Sequence, residues 1–369
     1  MISRARTLAA AALGALLLAP ALTGTAEAAS KVHTSVMTRT EADLKRVAEH
    51  WKPERLQRAA SYSAEASPAE AAPSSSPSSS SSASPTAAGA VASPPLSTSA
   101  PLTGKLTTAD VAPAPPKNGS AARTMGKVFF RFDGKEYWCS AGAVASKSGS
   151  VVATAAHCAY DLRRPGPAEY WIFVPNPGPD GSAPDGIYVG ATLNLHEDWP
   201  GKGDFDFDYA FVSVHRGFVW EKQKDGSFDM KDVGRLQDNV GGLGLAVGKG
   251  HGNTITAFGY PAGPQPDGSR PFDGRTLRTC RGTTSKTTAP SRDLQYGVLL
   301  QPCNLTKGAS GGPWLLKYQT STRLGYLNGV NSLTWNRDAK GSYDAVSAPP
   351  FITTTMAVYR SADAQAPSR

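Results

Sequence analysis

Cysteine is scarce in this chain: four in 369 residues, at positions 139, 158, 280 and 303. No CxxC occurs and no histidine cluster stands beside them, which argues against a structural metal site. Long apolar runs are rare too. One spans Leu8 to about Ala21, and no later stretch is long and apolar enough to cross a bilayer. The formal net charge is +8, yet no basic cluster is interleaved with aromatics, so nucleic-acid binding is not expected. Beyond residue 118, convincing amphipathic helical periodicity is also missing.

What is present is ordered from front to back. Arg4 and Arg6 precede the apolar run, and Ala26-Glu27-Ala28 offers a small-x-small cleavage site. Residues 1–28 therefore read as a secretory signal peptide, with an uncut membrane anchor as the alternative. The expected product is soluble, exported and monomeric. In an exported chain four cysteines predict two disulfides, with three connectivities open. Residues 29–60 read as helical: Thr40-Glu41-Ala42-Asp43 can cap a helix carrying Leu44, Val47 and Trp51 on one face, and Pro53 interrupts or restarts it. Trp51-Lys52-Pro53-Glu54-Arg55 resembles a short element upstream of the mature domain in bacterial precursors, which implies a propeptide. A plain spacer helix is the alternative. Residues 61–117 are rich in Ser, Pro and Ala, nearly uniform over 74–84, and predict a disordered linker.

Residues 118–369 carry short β-rich runs between turn signals. The runs are Gly126–Phe130, Tyr170–Val174, Tyr209–Val214, Thr254–Phe258 and Gly297–Leu300; the turns include Asp133-Gly134 and Asp225-Gly226. This pattern predicts an all-β sandwich or barrel. A C-terminal helix is not expected, because Pro349-Pro350 precede the one candidate stretch, Phe351–Tyr359.

Two motifs carry chemistry. Ser310 lies in Lys307-Gly308-Ala309-Ser310-Gly311-Gly312-Pro313-Trp314, and His157 lies in Val151-Val152-Ala153-Thr154-Ala155-Ala156-His157-Cys158. A serine hydroxyl needs a base to take its proton and donors to hold the oxyanion that follows. His157 is the candidate base. The surrounding glycines let the backbone approach a substrate carbonyl, so the N–H groups of Gly308 and Ser310 are the candidate oxyanion donors. Either motif alone would most often be a turn or a structural histidine; their joint occurrence in one domain-length window argues otherwise. The run Asp204-Phe205-Asp206-Phe207-Asp208 could be a cation loop, but its alternation fits a strand edge better.

The segments Cys139-Ser140-Ala141-Gly142-Ala143-Val144, Thr154–Cys158 and Gly308–Pro313, in this order, resemble the chymotrypsin-like serine peptidases over roughly residues 120–360. Gly259-Tyr260-Pro261-Ala262, the Cys280/Cys303 pair and the GASGGPW form of the serine motif are similar to the secreted bacterial branch that includes the V8-type glutamyl endopeptidases. The resemblance implies two antiparallel β-barrels with the site between them, His157 and Asp208 from the first and Ser310 from the second. Asp208-Tyr209-Ala210 resembles the family's Asp-x-Ala before an apolar strand, which makes Asp208 the third triad member ahead of Asp204 and Asp206. The family's bridge before the histidine implies Cys139–Cys158 and leaves Cys280–Cys303. The implied activity is endopeptidase hydrolysis of protein or peptide substrates without a cofactor.

Departures from the family bear on activation and specificity. Ala309 stands where many trypsin-like enzymes carry an Asp that pairs with a new N-terminus, so that ion pair is not available. Removal of a propeptide or a preformed site would have to serve instead. Leu327–Ser332 resembles the strand that ends in the pocket serine, here Ser332. Asn304 stands where Arg- or Lys-selective members place a carboxylate, and Asn331 where the glutamyl branch places a His. Asn304, Asn331 and Ser332 are thus the candidate pocket residues, with neither preference supported. A non-catalytic binding protein on the same fold and an esterase are the rival readings. An α/β-hydrolase is excluded: its histidine follows its serine, and no histidine follows Ser310.

Overall fold

The computed structural model describes residues 31–60 and 105–367. The signal-peptide reading and most of the Ser/Pro/Ala-rich stretch lie outside the described residues.

Alternation of side chains builds the first half. Strands Met125–Phe132, Lys135–Val144, Val151–Thr154, Glu169–Pro175, Tyr188–His196 and Ala210–Val214 pair in an antiparallel ring, and Tyr188–His196 bonds Ala210–Val214 to close it. Val128, Phe130, Trp171, Phe173 and Leu193 belong to one core cluster. Phe129, Ile172, Val174 and Val189, one residue out of phase, belong to another. The ring is apolar on both faces here, so its outer face needs a cover. Asp133 and Gly134, both at positive φ (48° and 76°), make the two-residue turn that their sequence announced.

The second half is two sheets around Ala257, Leu300, Trp314 and Val346. One orders Gly244–Leu245, Leu324–Val330, Pro313–Gln319, Thr254–Gly259 and Arg278–Thr283; the other orders Ser285–Ala289, Leu294–Leu300, Ala345–Ala348 and Leu333–Trp335. This is the expected two-barrel architecture. Both disulfides form as the resemblance implied, Cys139–Cys158 and Cys280–Cys303.

Three expectations change. The segment read as a helix over 29–60 is, over its described residues 31–60, more than that: Val32–Val36 is a strand paired with Tyr188–His196, followed by helices Glu41–His50 and Pro53–Ala60. The Thr40/Asp43 capping box is present and Pro53 opens the second helix. Residues 105–117, assigned to the linker, are packed: Val111 and Ala114 bridge to Leu245 and Gly242, and Asp110 forms a buried ion pair with Lys249 at 2.8 Å. A C-terminal helix does exist, Thr353–Ala364. Its proline pair lies before the first turn rather than inside it, where proline does no harm. The helix buries Met356, Val358, Tyr359 and Ala362, and the Tyr359 hydroxyl donates to the Ala145 carbonyl at 2.7 Å.

Tyr359→Ala should cost about 3–5 kcal/mol, a fall of roughly 10 °C in thermal unfolding. Tyr359→Phe, losing only the hydroxyl bond, should cost about 1 kcal/mol. Equal melting temperatures for the Ala variant and the wild type would show that the helix does not hold the first half.

Candidate active site

His157 sits in a short 3-10 turn, Ala156–Cys158, directly after strand Val151–Thr154. Its neighbour Cys158 is bonded to Cys139. Asp208 follows the turn Phe205–Phe207 and precedes strand Ala210–Val214, which pairs with Val151–Thr154. That pairing brings the two residues together. The Asp208 carboxylate accepts from the His157 backbone N–H at 3.0 Å with one oxygen and meets His157 Nδ1 at 2.8 Å with the other. Ser332 Oγ donates to that second oxygen at 2.6 Å. His157, Asp208 and Ser332 are all buried. A buried carboxylate of this kind is tolerable only with donors around it.

Ser310 reaches the same place from the second half. Its carbonyl accepts from Ser140 N at 2.8 Å, and Ser140 adjoins the Cys139–Cys158 bridge. Gly311 is held so close to the histidine segment that a Cβ there would lie 2.1 Å from Thr154 Oγ1 and 2.8 Å from Ala155 N. Gly308 has φ +97°, a region L side chains rarely enter, and its Cβ would meet Tyr260 O and the Trp138 ring. Ser140 ties the turn twice: its hydroxyl donates to Gly308 O at 2.8 Å and accepts from Tyr260 N at 2.9 Å.

The structure thus joins His157 to Asp208 and packs the turn that carries Gly308 and Ser310 against Ser140 and the Thr154–Ala155 segment that leads into His157. The three pocket candidates part company. Ser332 spends its hydroxyl on Asp208. Asn331 is buried, and its amide donates to Phe258 O at 2.8 Å and Ala309 O at 2.9 Å while accepting from the Trp314 indole at 2.6 Å. Both side chains hold the framework rather than offer free polar groups to a substrate. Asn304 is exposed, and its carbonyl accepts from Gln265 Nε2.

The carboxylates of the Asp204–Asp208 run take separate partners. Asp204 caps the turn by accepting from Asp206 N. Asp206 is buried and accepts the backbone N–H groups of Gln295 and Tyr296 at 2.9–3.1 Å, which ties the Asp208 loop to strand Leu294–Leu300 of the second half. Burial pushes both carboxyls up, Asp204 to about 6. Nothing in the local sequence marks Asp206 as an inter-barrel tie, since its partners are backbone groups 89 and 90 residues away.

Lys127 was missed as well. It lies behind the serine turn with its ammonium 4.0 Å from the Trp138 ring centroid and 5.3 Å from that of Tyr260. Burial pushes its pKa down to about 7, with the Asp273 carboxylate acting in the opposite direction. The folded chain therefore binds this proton more weakly than the unfolded chain. Stability tied to Lys127 is present above the free-lysine pKa and is lost as the pH falls toward 7.

Two outcomes follow from this framework. Lys127→Met should raise the melting temperature at pH 7, and its advantage should shrink by about 1.4 kcal/mol per pH unit as the pH is raised from about 7 to 10. A pH-independent difference in denaturant midpoints would refute the account. Asn331→Ala leaves Phe258 O, Ala309 O and the Trp314 indole without this partner, at about 1–3 kcal/mol for each group left unpaired. Peptide turnover should fall about 100-fold with the loosened serine turn. Asn331→Asp cannot donate to either carbonyl, so unimpaired turnover in that variant would count against the role.

No protein-family model matches the chain, and no curated protein matches it. Solved structures do. The protease Anisep from Arthrobacter nicotinovorans is 29% identical, with a TM-score of 0.53, covering 69% of this chain and all of that one. The thermostable serine protease AL20 from an extremophilic microorganism is 30% identical, with a TM-score of 0.53, covering 66% of this chain and 98% of that one. With the double-barrel fold in place, the chain belongs to the chymotrypsin-like serine protease family.

Proposed function

We propose that the protein is an exported serine endopeptidase working through His157, Asp208 and Ser310. Ser310 Oγ attacks the scissile carbonyl carbon as His157 takes its proton. The oxyanion is received by the N–H groups of Gly308 and Ser310. His157 then returns the proton to the leaving amine, and an acyl-enzyme on Ser310 remains. A water activated by His157 releases the acid and frees Ser310. Asp208 keeps the histidine in one orientation and stabilises its charged form. The steps require no cofactor.

The observation that carries this reading is the Asp208 carboxylate, which engages His157 at both backbone and ring and is braced by Ser332 from the second half. Residues 1–28, read as a signal peptide, and the two disulfides support export. Asn304 provides no carboxylate for a basic side chain, so cleavage after Arg or Lys is not expected to dominate.

An unbiased peptide library with the secreted protein tests the proposal. Internal cuts should appear, and Ser310→Ala should abolish them. Asp208→Asn should lower kcat about 10⁴-fold. A serine-directed phosphonate should label the wild type and not Ser310→Ala. A protein that neither cuts nor labels would be a binding module on this fold; ester turnover alone would make it an esterase.

A further inference from the structure

We propose that residues 31–60 are a permanent part of the working protease, held on the first barrel by their own contacts rather than by the chain that connects them. The outer face of that barrel is built to be covered. Phe129, Ile172, Val174, Ile187, Val189 and Phe218 are each at most 3% exposed, and they share one cluster with Val47, Trp51 and Leu56 of the N-terminal segment. Removing the segment would bare this patch to water, a surface that monomers rarely leave open.

The segment is fixed by directional bonds as well as by burial. Val32–Val36 runs antiparallel to Thr192–His196 in unbroken register. Thr38 continues the docking, donating to Gly190 O at 2.6 Å and meeting His215 Nε2 at 2.8 Å. Trp51 has no exposed surface; its indole N–H donates to Tyr170 O, and its own carbonyl accepts from the Trp220 indole at 3.1 Å. Glu136 on the barrel receives Arg55 at 2.8 Å and His50 at 3.0 Å, and His50 stacks on Tyr170. These partners belong to the barrel except Trp220, which lies on the adjoining hairpin of Gly217–Lys222 and Phe228–Gly234, and the strand fills part of the barrel's own sheet. A cut within residues 61–104 breaks none of them.

The test uses the full chain with a recognition sequence for a specific protease inserted within residues 74–84. After cutting, the two pieces should co-elute on gel filtration at a one-to-one ratio by mass spectrometry and part only in denaturant. The cut protein should keep the melting temperature and peptide turnover of the uncut one. Trp51→Ala in the same chain should release the N-terminal piece on cutting. Should that variant fail to fold, Glu136→Gln, which removes the ion pair to Arg55 and alters the contact with His50, should show partial release. The proposal is overturned if the wild-type piece leaves in native buffer while the remainder stays folded, and equally if its departure raises turnover, as a removable inhibitor would. Composition is read by mass, so absence of peptidase activity would not be mistaken for failure of the docking.

Discussion

The site depends on one buried carboxylate. Asp208 has no exposed surface, and a charge there is supportable only because donors converge on it from three directions. Two come from His157 and one from Ser332. His157 and Asp208 flank the ends of two paired strands of the first barrel, Val151–Thr154 and Ala210–Val214, whereas Ser332 opens the segment leading to Leu333–Trp335 of the second half. The carboxylate therefore serves as a joint between halves as well as the proposed third member of the triad. Asp206, two residues earlier, repeats the arrangement with backbone N–H groups of Gln295 and Tyr296. One short loop thus supplies two carboxylates that cross to the second half.

The serine turn is ordered by a different set of bonds. With Ala309 before Ser310, no ion pair from that position to a new N-terminus can hold it. Its carbonyls are gripped instead: Gly308 O by the Ser140 hydroxyl, Ala309 O by the Asn331 amide, Ser310 O by the Ser140 amide. Three consecutive carbonyls held from behind leave the turn little freedom to flip. Oxyanion stabilisation is most effective when donors are fixed before the substrate arrives. The Trp138 ring, packed against Gly308 and backed by Lys127, adds a rigid wall. Activation by ordering this turn is therefore not needed in the way it is for enzymes that carry the aspartate.

Much of this was legible in the sequence, for physical reasons. Four of the five strand runs named from composition fall within observed strands and the fifth overlaps one from Ala210 on, because β-branched and aromatic runs bounded by turn residues are local signals. The Thr40 capping box was legible on the same ground. What was not legible depends on tertiary contact. Val32-His33-Thr34-Ser35-Val36 has little apolar content and becomes a strand because Tyr188–His196 offers it an edge. The C-terminal helix begins with three threonines, poor helix formers, and is held by burial of Val358 and Tyr359 on the first half. Asn331 and Ser332 read as pocket residues through the resemblance of Leu327–Ser332 to the family's pocket strand. Only the fold reveals that Asp208, Ala309 and Phe258 claim their side chains.

The outer face of the first barrel was also written in the sequence, though its meaning was not. Val128-Phe129-Phe130 and Trp171-Ile172-Phe173-Val174 are continuous apolar runs, and a strand with one wet face would alternate instead. Such runs demand a second covering layer. The closed ring can cover only its inside, so the cover has to come from elsewhere in the chain. Val47 and Leu56 on two short helices, with Trp51 in the turn between them, meet that demand. The same apolar cluster continues past Phe129 to Trp138 and Tyr260, the residues that wall the serine turn. Cover and serine turn thus rest on one body of packed side chains, a physical reason for the proposed retention of the N-terminal segment.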